Sequence, residues 1–164
     1  MSDTPTIADA PLCIAVQLWL VDYLNSRDSL VRGARRVPVI GRRLTNIASD
    51  IEQAINELGG ACIYVAPLLP LKFNVNLPGP YIDLAEIRIR CIENDTLNKE
   101  LPSVFELVEA VVRDVAGLSL GELPLSPLLP AEPRPVETIA DPELLIQDVI
   151  FTVNGAYQPR IEEQ

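Results

Sequence analysis

The chain contains no histidine among its 164 residues, and aromatic side chains make up only 5% of it. Without histidine, the usual serine and cysteine triads, histidine-ligated metal sites and the commonest general base at neutral pH are excluded. Cys13, Cys62 and Cys91 are odd in number and widely spaced, so they match neither a zinc pattern nor a redox pair. We therefore expect buried free thiols in a reducing cytoplasm, and no metal or other cofactor.

The acidic residues are plentiful but scattered along the chain. Pairs such as Asp50 with Glu52 and Glu106 with Glu109 are typical of solvated helix faces and give no catalytic constellation. Gly59-Gly60 follows a predicted helix and precedes a predicted strand, which reverses the order that a phosphate-binding loop needs. The sequence thus predicts a protein that is not an enzyme.

Long hydrophobic runs are missing as well. The longest apolar stretch, residues 61–71, is broken by Pro67 and Pro70 and is far shorter than the ~20 residues of a membrane-spanning helix. The first residues also lack the basic start of a secretory signal, so we expect no membrane association. Hydrophobic residues nevertheless make up 48% of a chain with a formal charge of −10 and a mean hydropathy of +0.21. This aliphatic surplus predicts either an unusually complete core or an apolar surface kept for a partner.

Hydrophobic periodicity divides the chain into three helices and several strands. Helices are predicted over residues 11–25, with Asp9 as N-cap, over 45–58 and over 103–116. Strands are predicted over residues 61–66, 84–92, 136–139 and 144–153, with 72–76 as one strand of a protruding hairpin. We therefore predict a single α+β domain over residues 1–157 and a flexible tail at 158–164. The domain has the order α-α-β-β-α-β-β, with a mostly antiparallel sheet of about four strands and helices packed on one face.

The clearest unit runs from residue 84 to residue 117. Apolar and charged residues alternate along 84–92, as a strand with one buried face requires. Glu93-Asn94-Asp95 then favours a turn, and Ser103 stands at capping-box spacing before Glu106. Gly117 lies where a left-handed helix cap is expected.

Part of this unit resembles a known family. The segment IRCIENDTLNK at residues 89–99, followed by the helix at 103–116, resembles a segment of tail terminator or tail completion proteins of long-tailed bacteriophages. In that family a strand runs into a Glu-Asn turn and then a helix, and a last strand comes near the C terminus, where 144–153 stands here. The resemblance covers residues 82–154. The arginine-rich stretch and the proline-rich connection described below are not part of the family pattern.

The resemblance implies a virion structural protein, made in the host cytoplasm, that caps the head-proximal end of the tail tube. It also implies a homo-oligomeric ring, most often a hexamer, that provides the surface for head–tail joining. The partners implied are further copies of the chain, the tail tube protein and neck or head–tail connector proteins. A neck or baseplate component built on the same kind of domain is a related alternative.

Residues 27–43 form an arginine-rich arm, with six arginines against one acid, Asp28. The arm therefore carries +5, which leaves −15 on the rest of the chain. We favour its pairing with acidic surface on a neighbouring subunit, because such pairs offset repulsion within a ring. The alternative is contact with the phosphates of genomic DNA in the channel or, more broadly, a nucleic-acid-contacting or regulatory protein. No aromatic residue lies between the arginines, so base stacking has no support.

Residues 67–80 form the second unusual segment, in which four prolines stand among apolar side chains. The segment either presents these side chains to a partner or folds back over the core. The proline-rich connection at 122–135 is predicted to be extended. The candidate interface residues of the two segments are Arg32, Arg35, Arg36, Arg42, Arg43, Leu69, Leu71, Phe73 and Val75.

Overall fold

The computed structural model describes residues 10–41, 46–77, 81–131 and 143–156. Of these residues 31% are helical and 36% lie in strands, so the predicted α+β fold class is confirmed. The predicted N-cap Asp9, the strand at 136–139 and the tail at 158–164 lie outside the described residues. The helices are α1 (Leu12–Asn25), α2 (Ile47–Glu57) and α3 (Val104–Val115). The strands are β1 (Val31–Arg32), β2 (Arg35–Arg36), β3 (Val39–Ile40), β4 (Ala61–Val65), β5 (Leu69–Asn74), β6 (Tyr81–Asn94), β7 (Leu129–Pro130) and β8 (Leu144–Ala156).

In the part of the chain that the structure describes, six strands form one sheet in the order β3-β4-β6-β8-β7, with β5 paired to β6. Every pairing in this sheet is antiparallel except that of β3 with β4. Three of the predicted sheet strands, at 61–66, 84–92 and 144–153, correspond to β4, β6 and β8, and β5 covers the strand predicted at 72–76 as part of a hairpin. The other two strands of the sheet, β3 and β7, have only two residues each.

Strand β6 is the axis of the sheet. It pairs with β8 from Tyr81–Ala156 at one end to Asn94–Leu144 at the other. On its other side, its first half pairs with β5 and its second half with β4. The predicted strand at 84–92 is therefore extended by the structure to 14 residues.

The helices cover both faces of the sheet. Buried side chains of α1 and α3 pack with the odd-numbered apolar residues of β4, β6 and β8, such as Ile63, Ile89 and Phe151, in the main core. Helix α2 instead contributes Ala54 and Ile55 to a smaller cluster. Its strand partners include Cys62 and Ile92, which point to the opposite face.

The prediction that the helices pack on one face is correct for α1 and α3 and wrong for α2, which packs on the opposite face. The physical reason is a set of apolar strand residues on that second face. Cys62, Ile92 and Ile146 are apolar positions on the second face, and the narrow apolar stripe of α2 covers them there.

The Glu-Asn turn after β6 is held together by buried polar contacts. Glu93 is buried, and its carboxylate accepts hydrogen bonds from the backbone N–H of Val104 (3.1 Å) and from the side-chain amide of Asn98 (2.6 Å). The Asn98 Oδ1 in turn accepts from the Leu101 N–H (2.9 Å). Since Val104 is the first residue of α3, Glu93 fixes the helix N-terminus to the end of β6.

Both ends of α3 also have the capping residues that the sequence predicts. Ser103 accepts from the N–H of Glu106 as the predicted N-cap, and Gly117 adopts a left-handed φ of 78°. Gly60 approaches the same turn so closely that a Cβ would lie 2.6 Å from the backbone nitrogen of Asn98. The motif that carries the family resemblance therefore has a structural role in joining strand, turn and helix.

Replacement of Glu93 by Ala should lower the free energy of unfolding by about 3 kcal/mol, because two hydrogen bonds to a buried charged acceptor are lost. Urea unfolding followed by circular dichroism measures this change. The exposed Glu109 on α3 is the matched control, and Glu109→Ala should change the free energy by less than about 0.5 kcal/mol. Equal stability of the two variants would contradict the role assigned to Glu93.

Candidate functional site

The arginine-rich arm folds onto its own chain. Its described part forms a small hairpin, β1–β2, in which Arg32 pairs with Arg35 across a turn that contains Gly33 at φ 61°. We call residues 27–36 the arginine hairpin. It lies against helix α3 and the segment that precedes this helix.

Acidic partners of the arginine hairpin lie in the same chain. Arg32 forms an ion pair with Glu106 of α3, and the Arg35 Nε lies 2.9 Å from Glu100. The Arg27 guanidinium lies 3.6 Å from a carboxylate oxygen of Asp114, and it also lies over the ring of Tyr23. The Arg36 guanidinium donates a hydrogen bond to the backbone carbonyl of Arg27 (3.0 Å).

Most of the charge of the arginine hairpin is paired within the chain. Three of its four arginines, Arg27, Arg32 and Arg35, pair with Asp114, Glu106 and Glu100. These acids belong to α3 and to the segment before it, and the three arginine side chains remain about half exposed. Their pairing with acidic surface on a neighbouring subunit therefore stays a prediction. Arg42 and Arg43, the other arginine candidates, lie outside the described residues.

The apolar segment at 67–80 is mainly strand. Strand β5 pairs antiparallel with the start of β6, with Phe73 opposite Ile82 and Asn74 opposite Tyr81. We call residues 69–77 together with 81–84 the apolar hairpin. Of the two interpretations of this segment, the structure shows the hairpin rather than a loop folded over the core, although Leu68 just before it is buried. Pro78 and Pro80 lie outside the described residues.

The candidate apolar residues are all exposed on this hairpin. Leu69, Leu71 and Phe73 are about half exposed, and Val75 near the tip is 89% exposed. Leu77 and Leu84 add further exposed apolar surface beside them. A cluster of this kind is unusual on a protein surface unless a partner covers it.

The two hairpins lie towards opposite ends of β6. The apolar hairpin pairs with the beginning of β6 at Tyr81, whereas Glu100, the partner of Arg35, follows the end of β6 at Asn94. At the usual rise of a strand, the 14 residues of β6 span roughly 45 Å. The structure therefore keeps the two sets of candidate residues apart and gives the domain two distinct ends.

A partly buried ion pair on the second face of the sheet had no clear signal in the sequence. The Arg90 guanidinium donates to both oxygens of Asp148, at 2.7 and 2.9 Å, and the Arg88 Nε lies 3.6 Å from the same carboxylate. These hydrogen bonds raise the pKa of Arg90, while burial raises the pKa of the neighbouring Tyr64. Alternation placed Arg88 and Arg90 on one face, but only the register of β6 with β8 brings Asp148 opposite Arg90. The pair links the two longest strands.

Two of the three cysteines are fully buried, and all three are free. Burial raises the pKa of the Cys62 thiol to about 12. Burial also raises the pKa of Cys91 to about 12, with smaller contributions from Asp148 and Cys62. Both thiols are therefore protonated at neutral pH and unreactive as nucleophiles. Among the described residues no group of histidine, cysteine or carboxylate side chains could hold a metal ion.

Comparisons with protein-family models, with curated proteins and with solved structures each find no match to this chain. The described helices include none that is both long enough and apolar enough to cross a membrane.

The buried thiols make the stability of the fold depend on pH in the alkaline range. In the unfolded chain these thiols ionise near the ordinary value of 9.0, whereas in the folded chain the pKa of each is about 12. The unfolded state therefore binds fewer protons between these values, and the free energy of unfolding should fall as pH rises from 9 towards 12. Urea unfolding at a series of pH values measures the slope.

The control for this slope is a variant with Cys62→Ala and Cys91→Ala. It keeps the tyrosines and lysines, which also titrate in this range, and should therefore show a shallower decline. Equal slopes in the variant and the wild-type chain would contradict the assignment to the thiols.

Proposed function

We propose that this chain is a virion structural protein that forms a ring at the head-proximal end of a bacteriophage tail and provides the surface for head–tail joining. The observation that carries the proposal is the exposed apolar hairpin at one end of β6, with a separate charged hairpin at the other. This arrangement suits a protein that contacts one partner at each end. The resemblance of the sequence over residues 82–154 to tail terminator proteins also favours this function.

The apolar hairpin supports assembly rather than chemistry. Fully burying an exposed leucine or phenylalanine side chain contributes about 1.5–3 kcal/mol. About half of Leu71 and Phe73 and most of Val75 are exposed, and a partner that covers this remaining area gains a corresponding part of that stabilisation. The hairpin is also carried on β6, which is paired on both sides. Partner binding therefore does not require the segment to fold first, which lowers its entropic cost.

The mechanism is geometric. One end of the domain fits the last ring of the tail tube and stops further stacking, and the other end is offered to neck or head–tail connector proteins. Because β6 and β8 run through the whole domain, the distance between the two ends is fixed by paired backbone. The domain thus acts as a spacer with two different faces.

The alternative is a protein that grips nucleic acid with the arginine arm. The ion pairs of the arginine hairpin argue against it, because Arg27, Arg32 and Arg35 pair with carboxylates of the same chain. The acidic remainder of the chain also repels phosphate.

We expect no retained duplex DNA in a band-shift experiment at low salt. Neutralised phosphates each add ~0.9 to the slope of log affinity against log salt, so a genuine arginine–phosphate interface would be strongest under these conditions. Retention at low salt that is lost in an Arg32→Ser, Arg35→Ser, Arg36→Ser variant would favour the nucleic-acid alternative.

Two triple variants test the assembly surfaces in a phage that encodes this chain. Replacement of Leu69, Leu71 and Phe73 by Ser, or of Arg32, Arg35 and Arg36 by Ser, should leave the domain folded. The first set is exposed, and exposed ion pairs such as those of the second set contribute only about 0–1 kcal/mol. Each variant should be incorporated into tails at least about tenfold less than wild type, as expected when several interface residues are lost.

The salt dependence separates the two surfaces. Contacts made by the arginines should weaken with added salt, whereas apolar contacts have no screening effect. Phe105→Ser with Val112→Ser on the outer face of α3 is the matched control, and it should incorporate normally. Normal incorporation of both triple variants would place the interfaces elsewhere.

A phage without the chain that still makes tails of normal length joined to heads would disprove the proposed function.

A further inference from the structure

Among the described residues the sheet has three edge strands, β3, β5 and β7, and β5 and β7 each carry an exposed leucine. One row of paired residues crosses four strands, from Leu69 of β5 through Glu86 and Thr152 to Leu129 of β7. Leu69 is 54% exposed and Leu129 is 59% exposed. Within the described residues, no further strand lies outside either of them.

The β5 and β7 edges share an unusual lack of charge. Residues 66–77 contain one charged residue, Lys72, and residues 123–131 contain none. The chain as a whole carries −10, so two copies repel each other over most of their surfaces. A contact between these two segments therefore brings no acidic residue of one copy against an acidic residue of the other.

The backbone of both edges is protected against open-ended strand pairing. Pro70 in β5 and Pro130 in β7 have no N–H to donate, and β5 has irregular register between Pro70 and Phe73. Lys72 on β5 is a further residue of the kind that discourages pairing at an edge. The exposed apolar side chains are therefore suited to packing against a partner's side chains rather than to strand addition.

We propose that the β5 edge of one copy packs against the β7 edge of the next copy, so that the chain associates with itself head to tail. This inference rests on the proposed ring and names its contact surface. A contact between two different surfaces of the same molecule produces a closed ring when its rotation closes. It also leaves the exposed tip of the apolar hairpin, at Val75 and Leu77, free for a different partner.

The symmetric alternative, β5 against β5, is less favourable on two grounds. It brings two Lys72 side chains towards each other, which costs electrostatic energy. It also leaves Leu129 of both copies exposed. Head-to-tail packing covers both edges of every copy in the ring.

Mixing two variants of the full chain tests this contact. Leu69→Asp blocks the β5 edge only, and Leu129→Asp blocks the β7 edge only. Each variant alone should remain monomeric under conditions in which the wild-type chain forms larger assemblies, with self-association weaker by about tenfold or more. A 1:1 mixture should form dimers and nothing larger, since it contains one intact pair of edges. Native mass spectrometry measures these masses, and circular dichroism verifies that both variants are folded.

Phe105→Asp is the matched control, because Phe105 is 65% exposed on α3 and belongs to neither edge. It should assemble like the wild-type chain. The proposal is overturned if Leu129→Asp forms dimers alone, which would indicate symmetric β5 contacts. It is also overturned if the mixture stays monomeric, or if the wild-type chain is monomeric at the highest concentration that stays in solution.

The outcome for this contact is separate from the outcome for the tail function. If the mixing pattern holds and the chain is absent from purified tails, the contact stands and the proposed function fails. If tails contain the chain and the mixture shows no dimer, the function stands and the contact fails.

Discussion

The pairing of β6 with both of its neighbours is the constraint on which the rest of the structure depends. One strand meets β8 over almost its whole length, β5 over its first half and β4 over its second. Its core face supplies Ile87 and Ile89 to the main cluster, and its last turn fixes α3 through Glu93. The apolar hairpin and the arginine hairpin are both positioned relative to this strand.

Local patterns in the sequence were sufficient for the elements that carry their own signals. The alternation of residues 84–92 predicted the middle of β6, and Ser103 with Glu106 predicted the start of α3 to within a residue. Gly117 was assigned its left-handed conformation for the same reason, since few other residues adopt it at low cost. The exposed side chains of the apolar hairpin were also predicted, because prolines and apolar residues together do not fit a central strand.

Contacts between distant segments could not be predicted in the same way. Arg32 and Glu106 are 74 positions apart, and nothing near either residue specifies the pair. The pairing of Arg90 with Asp148 depends on the register of two strands, and a shift of one residue would place Asp148 on the other face. The position of α2 depends on three apolar strand residues that the alternation alone did not distinguish from a solvent-facing set. The sequence therefore did not indicate that Arg27, Arg32 and Arg35 pair with acids of their own chain.

The long pairing of β6 with β8 has a mechanical consequence. Hydrogen bonds between antiparallel strands lie perpendicular to the strands. A pull along the sheet, applied between the apolar hairpin and the Glu-Asn turn, therefore loads those bonds in shear, and many must break together. A pull across the sheet would instead open them one at a time. The domain is thus mechanically strongest along the line that joins its two ends, which is the direction in which a connection between two larger bodies would be stretched.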